Sequence, residues 1–218
     1  MTWKNTFGKS FVLGMVLLGA LLFSTVALTE RAQAQENNQN VVIGASIIGI
    51  LMPGEDDFAD RFSLQLGITG LQQLYAEWYV LGRLGVGYRY LGTGITETYS
   101  TFGLEEKREI KSTSHLATAN YLLYISTGQY TRLGVLGGIG TTNYTYTETI
   151  NGISTQADTS GPTTLGQAYI DWGGEDFGAR FGIGMLQTKL EEVKFQGIPH
   201  QADLSGNHWY FDLRWAFS

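Results

Sequence analysis

Residues 208–218 read H-W-Y-F-D-L-R-W-A-F-S, and the rest of the chain is best understood from them. Side chains of a strand alternate between its two faces. Trp209, Phe211, Leu213, Trp215 and Phe217 therefore share one face, and His208, Tyr210, Asp212, Arg214 and Ala216 the other. The first face is wholly apolar with aromatics near both ends; the second is polar and charged. An apolar face flanked by aromatic rings is what a membrane-spanning barrel presents to lipid, with its polar residues turned to the lumen.

Working outward, the N-terminus looks like an export signal. Lys4 and Lys9 precede an apolar run over residues 11–28, and Ala32-Gln33-Ala34 offers a small-x-small cleavage site ahead of Gln35. Residues 1–34 are thus expected to be a cleaved signal peptide, and residues 35–218 one mature domain. Removing Lys4, Lys9, Arg31 and Glu30 from 14 basic and 20 acidic residues leaves 11 and 19, a net charge of −8. That balance argues against a nucleic-acid partner, which is held chiefly by cationic side chains on phosphates. With no cysteine, the chain carries neither a lipidated N-terminal Cys nor a disulfide.

An internal repeat sets the architecture. Gly82-Arg83-Leu84-Gly85-Val86-Gly87, Thr131-Arg132-Leu133-Gly134-Val135-Leu136 and Ala179-Arg180-Phe181-Gly182-Ile183-Gly184 share one pattern, with their arginines 49 and 48 residues apart. One period before Arg83 falls near Gln35, so the mature chain reads as four hairpins, or eight strands. Strands rising from the short turns are expected at residues 41–50, 83–92, 132–146 and 180–190; returning strands at 62–79, 115–125, 164–172 and 208–217. The connections at one end are short. Those at the other, residues 51–61, 93–114, 147–163 and 191–207, are long and polar, as in outer-membrane barrels. Between residues 62 and 90 facing alone allows the turn near Gly70–Gln73 or near Leu81; the repeat places it at Leu81.

The export segment, the four hairpins and the aromatic closing strand together resemble the small eight-stranded outer-membrane barrels of the OmpA transmembrane-domain, OmpX and OmpW-like group. Ser218 departs from the terminal aromatic usual there. The resemblance implies an all-β, antiparallel, up-and-down transmembrane β-barrel in the bacterial outer membrane, with long loops extracellular and both termini periplasmic. It also implies contact with outer-membrane lipid and lipopolysaccharide, and with the barrel-assembly machinery during biogenesis. A monomer is expected.

If apolar side chains face lipid, Arg83, Arg132 and Arg180 point inward near the short-turn ends of their strands. Glu77, Asn120, Tyr124, Tyr169, Asp171, Asp212 and Arg214 are the inward residues at similar height. A barrel of eight strands has a lumen that side chains fill, and a buried charge is costly unless paired. A lumen charge network of Glu77, Arg83, Arg132, Asp171, Arg180, Asp212 and Arg214 is therefore expected, with inward glycines making room for the arginines. The lipid-facing closing strand is represented by Trp209, Phe211, Trp215 and Phe217.

Catalysis is not expected. A Ser/His mechanism needs nucleophile and base within about 3 Å, and the same-face neighbours of His115 are Thr113 and Ala117, those of His208 Gly206 and Tyr210. Lipid A-modifying hydrolase activity is the low-ranked reading. No cofactor and no metal centre is expected: the acidic run Glu55-Asp56-Asp57 with Asp60 matches no EF-hand spacing. The functional expectation is a plugged barrel with a structural or surface-interaction role through its loops. A narrow channel or transporter for ions or small apolar compounds stands second.

Overall fold

The computed structural model describes residues 41–53, 69–101, 104–126, 131–174, 176–196, 198–200 and 203–217. The signal-like segment and the acidic run of residues 55–60 lie outside the described residues, as does the expected start of the second strand.

Among the described residues there are ten strands: β1 (Val41–Pro53), β2 (Thr69–Leu81), β3 (Leu84–Thr101), β4 (Leu104–Ile125), β5 (Arg132–Ile150), β6 (Ile153–Gly173), β7 (Phe177–Thr188), β8 (Val193–Phe195), β9 (Ile198–His200) and β10 (Gly206–Phe217). Eight of them close into a barrel in the order β1-β10-β7-β6-β5-β4-β3-β2, while β8 and β9 form a separate hairpin. Each barrel strand pairs antiparallel with its neighbours in the chain, and β10 closes on β1 from Val41↔Phe217 to Pro53↔Gly206. The barrel is thus up-and-down. The β2–β3 turn falls at Gly82-Arg83, where the repeat puts it, and Gly82 takes the left-handed backbone (φ 59°) that the tight turn requires.

The alternation read from the closing strand holds around the ring. Trp209, Phe211, Leu213, Trp215 and Phe217 turn outward, and His208, Tyr210, Asp212, Arg214 and Ala216 are buried inside. Outward aromatics gather in girdles. At the short-turn end, Trp172 packs against Phe211 and Phe177 against Trp215, with ring centres 5.8 and 5.5 Å apart. At the opposite rim Tyr88 and Tyr90 flank His115, and the Tyr88 hydroxyl lies 2.5 Å from His115 Nδ1.

Two bulges break the alternation. In β1 the register shifts between Ser46 and Ile48, so Ile47 and Ile48 both face out and the inward set changes from Val42 and Gly44 to Gly49 and Leu51. In β4 it shifts between Leu122 and Tyr124. Tyr124, expected in the lumen, is for that reason on the outer surface.

The long connections differ from expectation more than the strands do. Residues 93–114 and 147–163, read as loops, are mostly strand: β3–β4 stay paired to Thr101↔Leu104 and β5–β6 to Ile150↔Ile153. Asn151 and Gly152 close the latter with positive φ values of 49° and 81°, the geometry of a two-residue hairpin turn. Thr, Ser and Tyr alternate here with high β propensity, and the apolar criterion for a membrane strand overlooks strands that leave the membrane. A four-stranded polar ribbon consequently rises above the barrel.

Candidate functional site: the filled lumen

The interior is layered. Nearest the short turns is a cluster of ionised side chains organised by Arg180, which is fully buried. Its Nε and Nη2 donate to Asp171 Oδ1 and Oδ2 at 2.6 and 3.1 Å; its Nη1 and Nη2 donate to Glu77 Oε1 and Oε2 at 2.6 and 3.0 Å. A planar guanidinium suits two bidentate carboxylates in this way. Asp171 also accepts from Arg132 Nη2 at 3.0 Å, with Arg214 Nε 3.8 Å from its Oδ2. Glu77 accepts from Arg89 Nη2 at 2.9 Å. Asp212 accepts instead from Gln73 Nε2 at 2.7 Å.

Tyrosines fill the spaces between charges. The guanidinium carbons of Arg89 and Arg180 each lie 4.6 Å from the ring centre of Tyr75, and that of Arg180 lies 3.9 Å from Tyr169, a cation–π arrangement. Each of these rings lies over a glycine paired with it on the next strand: Tyr75 over Gly44, Tyr169 over Gly134, Tyr210 over Gly182. A Cβ at any of these glycines would run into the ring opposite. The glycine two residues after each repeat arginine is accordingly a seat for a bulky partner across the ladder: Asn120 at Gly85, Tyr169 at Gly134, Tyr210 at Gly182. Room for the arginines, the expected reason for these glycines, is the lesser part.

Above the charges lies an amide and imidazole layer. Gln167 donates through Nε2 to His208 Nε2 at 2.6 Å and to Gln73 Oε1 at 3.3 Å, and accepts from Tyr210 at 3.2 Å and from Arg89. Next come Leu51, Leu71, Leu91, Leu116, Leu165 and Leu186, all buried in one apolar cluster. Past the leucines, Ser114, Thr142 and Thr163 share hydroxyl contacts of 2.5 Å. The top layer is aromatic: Tyr144, Tyr146, Ile110, Ala157 and Leu190 pack with Phe195 of the β8–β9 hairpin, the rings of Tyr146 and Phe195 meeting edge-on at 4.9 Å.

Of the expected network residues, the structure brings together Glu77, Arg132, Asp171, Arg180 and Arg214, with Asp212 reached through Gln73. Arg83 is not among them. It lies in the β2–β3 turn, half-buried at the barrel mouth, because the turn occupies the position that is already strand in the other two copies of the repeat. Arg89, six residues on, occupies the interior in its place; its parity signals an inward side chain, but nothing in the repeat singles it out.

Ser114 and His115 lie on opposite faces of β4. His115 faces outward and bonds Tyr88, whereas Ser114 faces the lumen and bonds Thr142. No group of three or more metal-ligating side chains occurs among the described residues.

This architecture defines the class: the chain has the fold of the small eight-stranded outer-membrane β-barrels. Among solved structures it is similar to Ail, the attachment invasion locus protein of Yersinia pestis, at 13% identity over 84% of this chain and 100% of that one, with a TM-score of 0.51. A second Ail structure, in complex with the heparin analogue sucrose octasulfate, aligns at 12% identity over 82% of this chain and 97% of that one, TM-score 0.53. Neisserial surface protein A aligns at 11% identity over 81% of this chain and 97% of that one, TM-score 0.56. No family model and no curated protein matches the sequence.

Proposed function

We propose that the chain is an integral outer-membrane protein whose lumen is closed and whose work is done at the surface, by the ribbon that rises above the membrane. One observation carries this reading: the bore is crossed by successive layers of buried side chains, charged, amide, leucine, hydroxyl and aromatic. Burial of Arg89, Arg180, Arg214, Asp171 and Asp212 at 0% exposure is compatible with a plug and hard to reconcile with a wet conduit.

The outward apolar residues supply the membrane placement. On β10 they run from Trp209 to Phe217, nine residues, against the roughly 9–11 that a tilted strand needs to cross. The ribbon then lies on the extracellular side and the short turns and both termini on the periplasmic side, with lipopolysaccharide around the outer rim and the barrel-assembly machinery engaged during insertion.

For the surface role, attachment is the favoured activity, in line with the name of Ail, an attachment invasion locus protein, and with Neisserial surface protein A. The chemistry of the ribbon favours a protein partner over a sulfated sugar: the outward charges of β4 alternate in sign through Glu105, Lys107, Glu109 and Lys111, without the cationic field that would draw a polyanion. Pairing of β6 with β7 begins at Thr163↔Thr188, and the chain after Thr188 continues along β6, Lys189 N–H donating to the Pro162 carbonyl at 3.0 Å and Thr159 Oγ1 to the Glu191 carbonyl at 2.9 Å, which leaves the tip of β6 from Ile153 as its edge. That edge suits addition of a partner's strand.

Planar-bilayer recording on the refolded protein tests the plug. No steady conductance is expected; reproducible channels in the unaltered protein, enlarged in Arg132→Ala, overturn it and move the reading to a narrow channel. Enzymatic action on lipid A ranks below both, and a changed lipid A mass on expression would raise it.

A further inference from the structure

The inner face of the ribbon is covered for only part of its height. Even residues of β5 and odd residues of β6 face inward there, so the upper rungs run Tyr146↔Ala157, Glu148↔Thr155 and Ile150↔Ile153. Phe195 of the β8–β9 hairpin closes the first rung, packed edge-on against Tyr146. The last rung is open: Ile150 is 44% and Ile153 76% exposed. Beside it Glu148, Ile150, Asn151, Ile153, Thr155 and Gln196 line a cavity of about 270 Å³.

This cavity joins an aliphatic wall to a carboxylate that is itself largely buried, Glu148 being 7% exposed. Glu148 Oε1 accepts from the Tyr146 hydroxyl at 3.2 Å and lies 3.5 Å from Arg108 Nε, whose guanidinium is held closer by Glu106 at 2.5 Å. Among the described residues, Glu148 Oε2 meets a neutral donor alone, Gln196 Nε2 at 3.2 Å. That bond orients the Gln196 amide and leaves its Oε1 as a second acceptor at the cavity. A carboxylate oxygen shielded from water gains most from a cationic donor. An aliphatic stem ending in an ammonium group, which carries three donors and no acceptor, matches both the wall and the floor.

The strand next to the cavity has a free edge. Across the two-residue turn at Asn151-Gly152, Ile150 and Ile153 exchange both their backbone bonds, and alternation then points the N–H groups of Ser154 and Gln156 away from β5. Resting on the reading of the ribbon as the working surface, we infer that the tip of β6 takes an extended segment of a partner protein as an added strand and seats one lysine of that segment in the cavity. The lysine stem lies against Ile150 and Ile153, and its ammonium group donates to Glu148 Oε2 and Gln196 Oε1. Main-chain bonds along the edge supply affinity, while the cavity selects the side chain.

The test uses the refolded protein in detergent and three short fluorescent peptides of alternating threonine and valine that differ at one central position. That position holds lysine, norleucine, which has a similar stem without the charge, or glutamate. By fluorescence anisotropy the lysine peptide should bind about tenfold or more tightly than the norleucine peptide, as a charged hydrogen bond implies, and the glutamate peptide most weakly. Glu148→Gln should abolish the preference for lysine, whereas Ser154→Pro, which removes an edge N–H, should weaken all three. Should E148Q not refold, Ile153→Ser, at an exposed side chain, decides in its place by lowering affinity for the lysine peptide. Equal binding of the lysine peptide and either of the others, or a preference that survives E148Q, overturns the lysine site and leaves strand addition standing. Failure of every peptide to bind overturns both, and the closed lumen is judged separately by the bilayer recording.

Discussion

Strands β3 to β6 pass through two environments, and the same two-residue alternation serves opposite ends in each. Inside the apolar belt the outer face of β5 carries Leu133, Val135 and Ile139 while its ladder neighbours send Asp171 and Asn120 inward. Ten residues higher the outer face carries Asn143, Thr145 and Thr147, and Tyr144 and Tyr146 fill the interior. The lower part is inside-out relative to a soluble protein; the upper part is a soluble protein. The crossover falls at Thr141 and Thr142, within one continuous strand. It teaches that polarity of a face says nothing by itself about in or out: the surrounding solvent must be assigned first.

The contrast can be broken most severely from within the belt. Asp171→Asn leaves Arg132, Arg180 and Arg214 around a neutral amide, and removing one partner of a buried ion cluster costs about 3–5 kcal/mol. Urea unfolding in lipid vesicles should register it; a loss below about 1 kcal/mol would mean that water reaches the layer. A lysine in place of Ile183, on the outer face of β7, should cost about 2–4 kcal/mol near mid-membrane, while Thr145→Lys on the ribbon should stay within about 0.5 kcal/mol. Equal effects of the two lysines would erase the boundary between the regions. The smallest effect concerns Glu109, whose carboxyl is held below its ordinary range chiefly by the hydrogen bond from Lys111, 2.9 Å away. A depressed carboxylate adds stability above its unfolded pKa, here about 4.5, and loses it as pH falls through the lower folded value. In this exposed pair it amounts to a few tenths of a kcal/mol. Comparing wild type with Glu109→Gln between pH 3 and pH 6 by urea unfolding should show a difference only at the upper end.

Much of the barrel was legible because the belt imposes a strict rule. Wherever lipid lies outside, every second residue must be apolar, and the closing strand, the four hairpins and the inward Glu77, Asp171, Asp212 and Arg214 follow from that rule. Legibility ends where the rule lapses. Above the belt, Thr and Ser alternation in residues 93–114 and 147–163 looks like loop, since neither face is uniformly greasy. Bulges at Ser46–Ile48 and near Leu123 slip the count by one, and the facing of Tyr124 goes with it. Arg83 shares its motif with Arg132 and Arg180 but not their depth, because a turn takes its place. The leucine layer was not legible: the β1 bulge reverses the facing of Leu51, and no local signal distinguishes a leucine that plugs a bore from one that coats a membrane.

Closure of β10 on β1 joins the two ends of the described barrel, and the Glu77–Arg180 bridge spans 103 residues. A chain that stops short of β10 holds Arg180 with both its partners, Asp171 and Glu77, but lacks the seam and leaves β1 and β7 with open edges. Sealing of the wall then waits for the final strand, which must find β1 and β7 together.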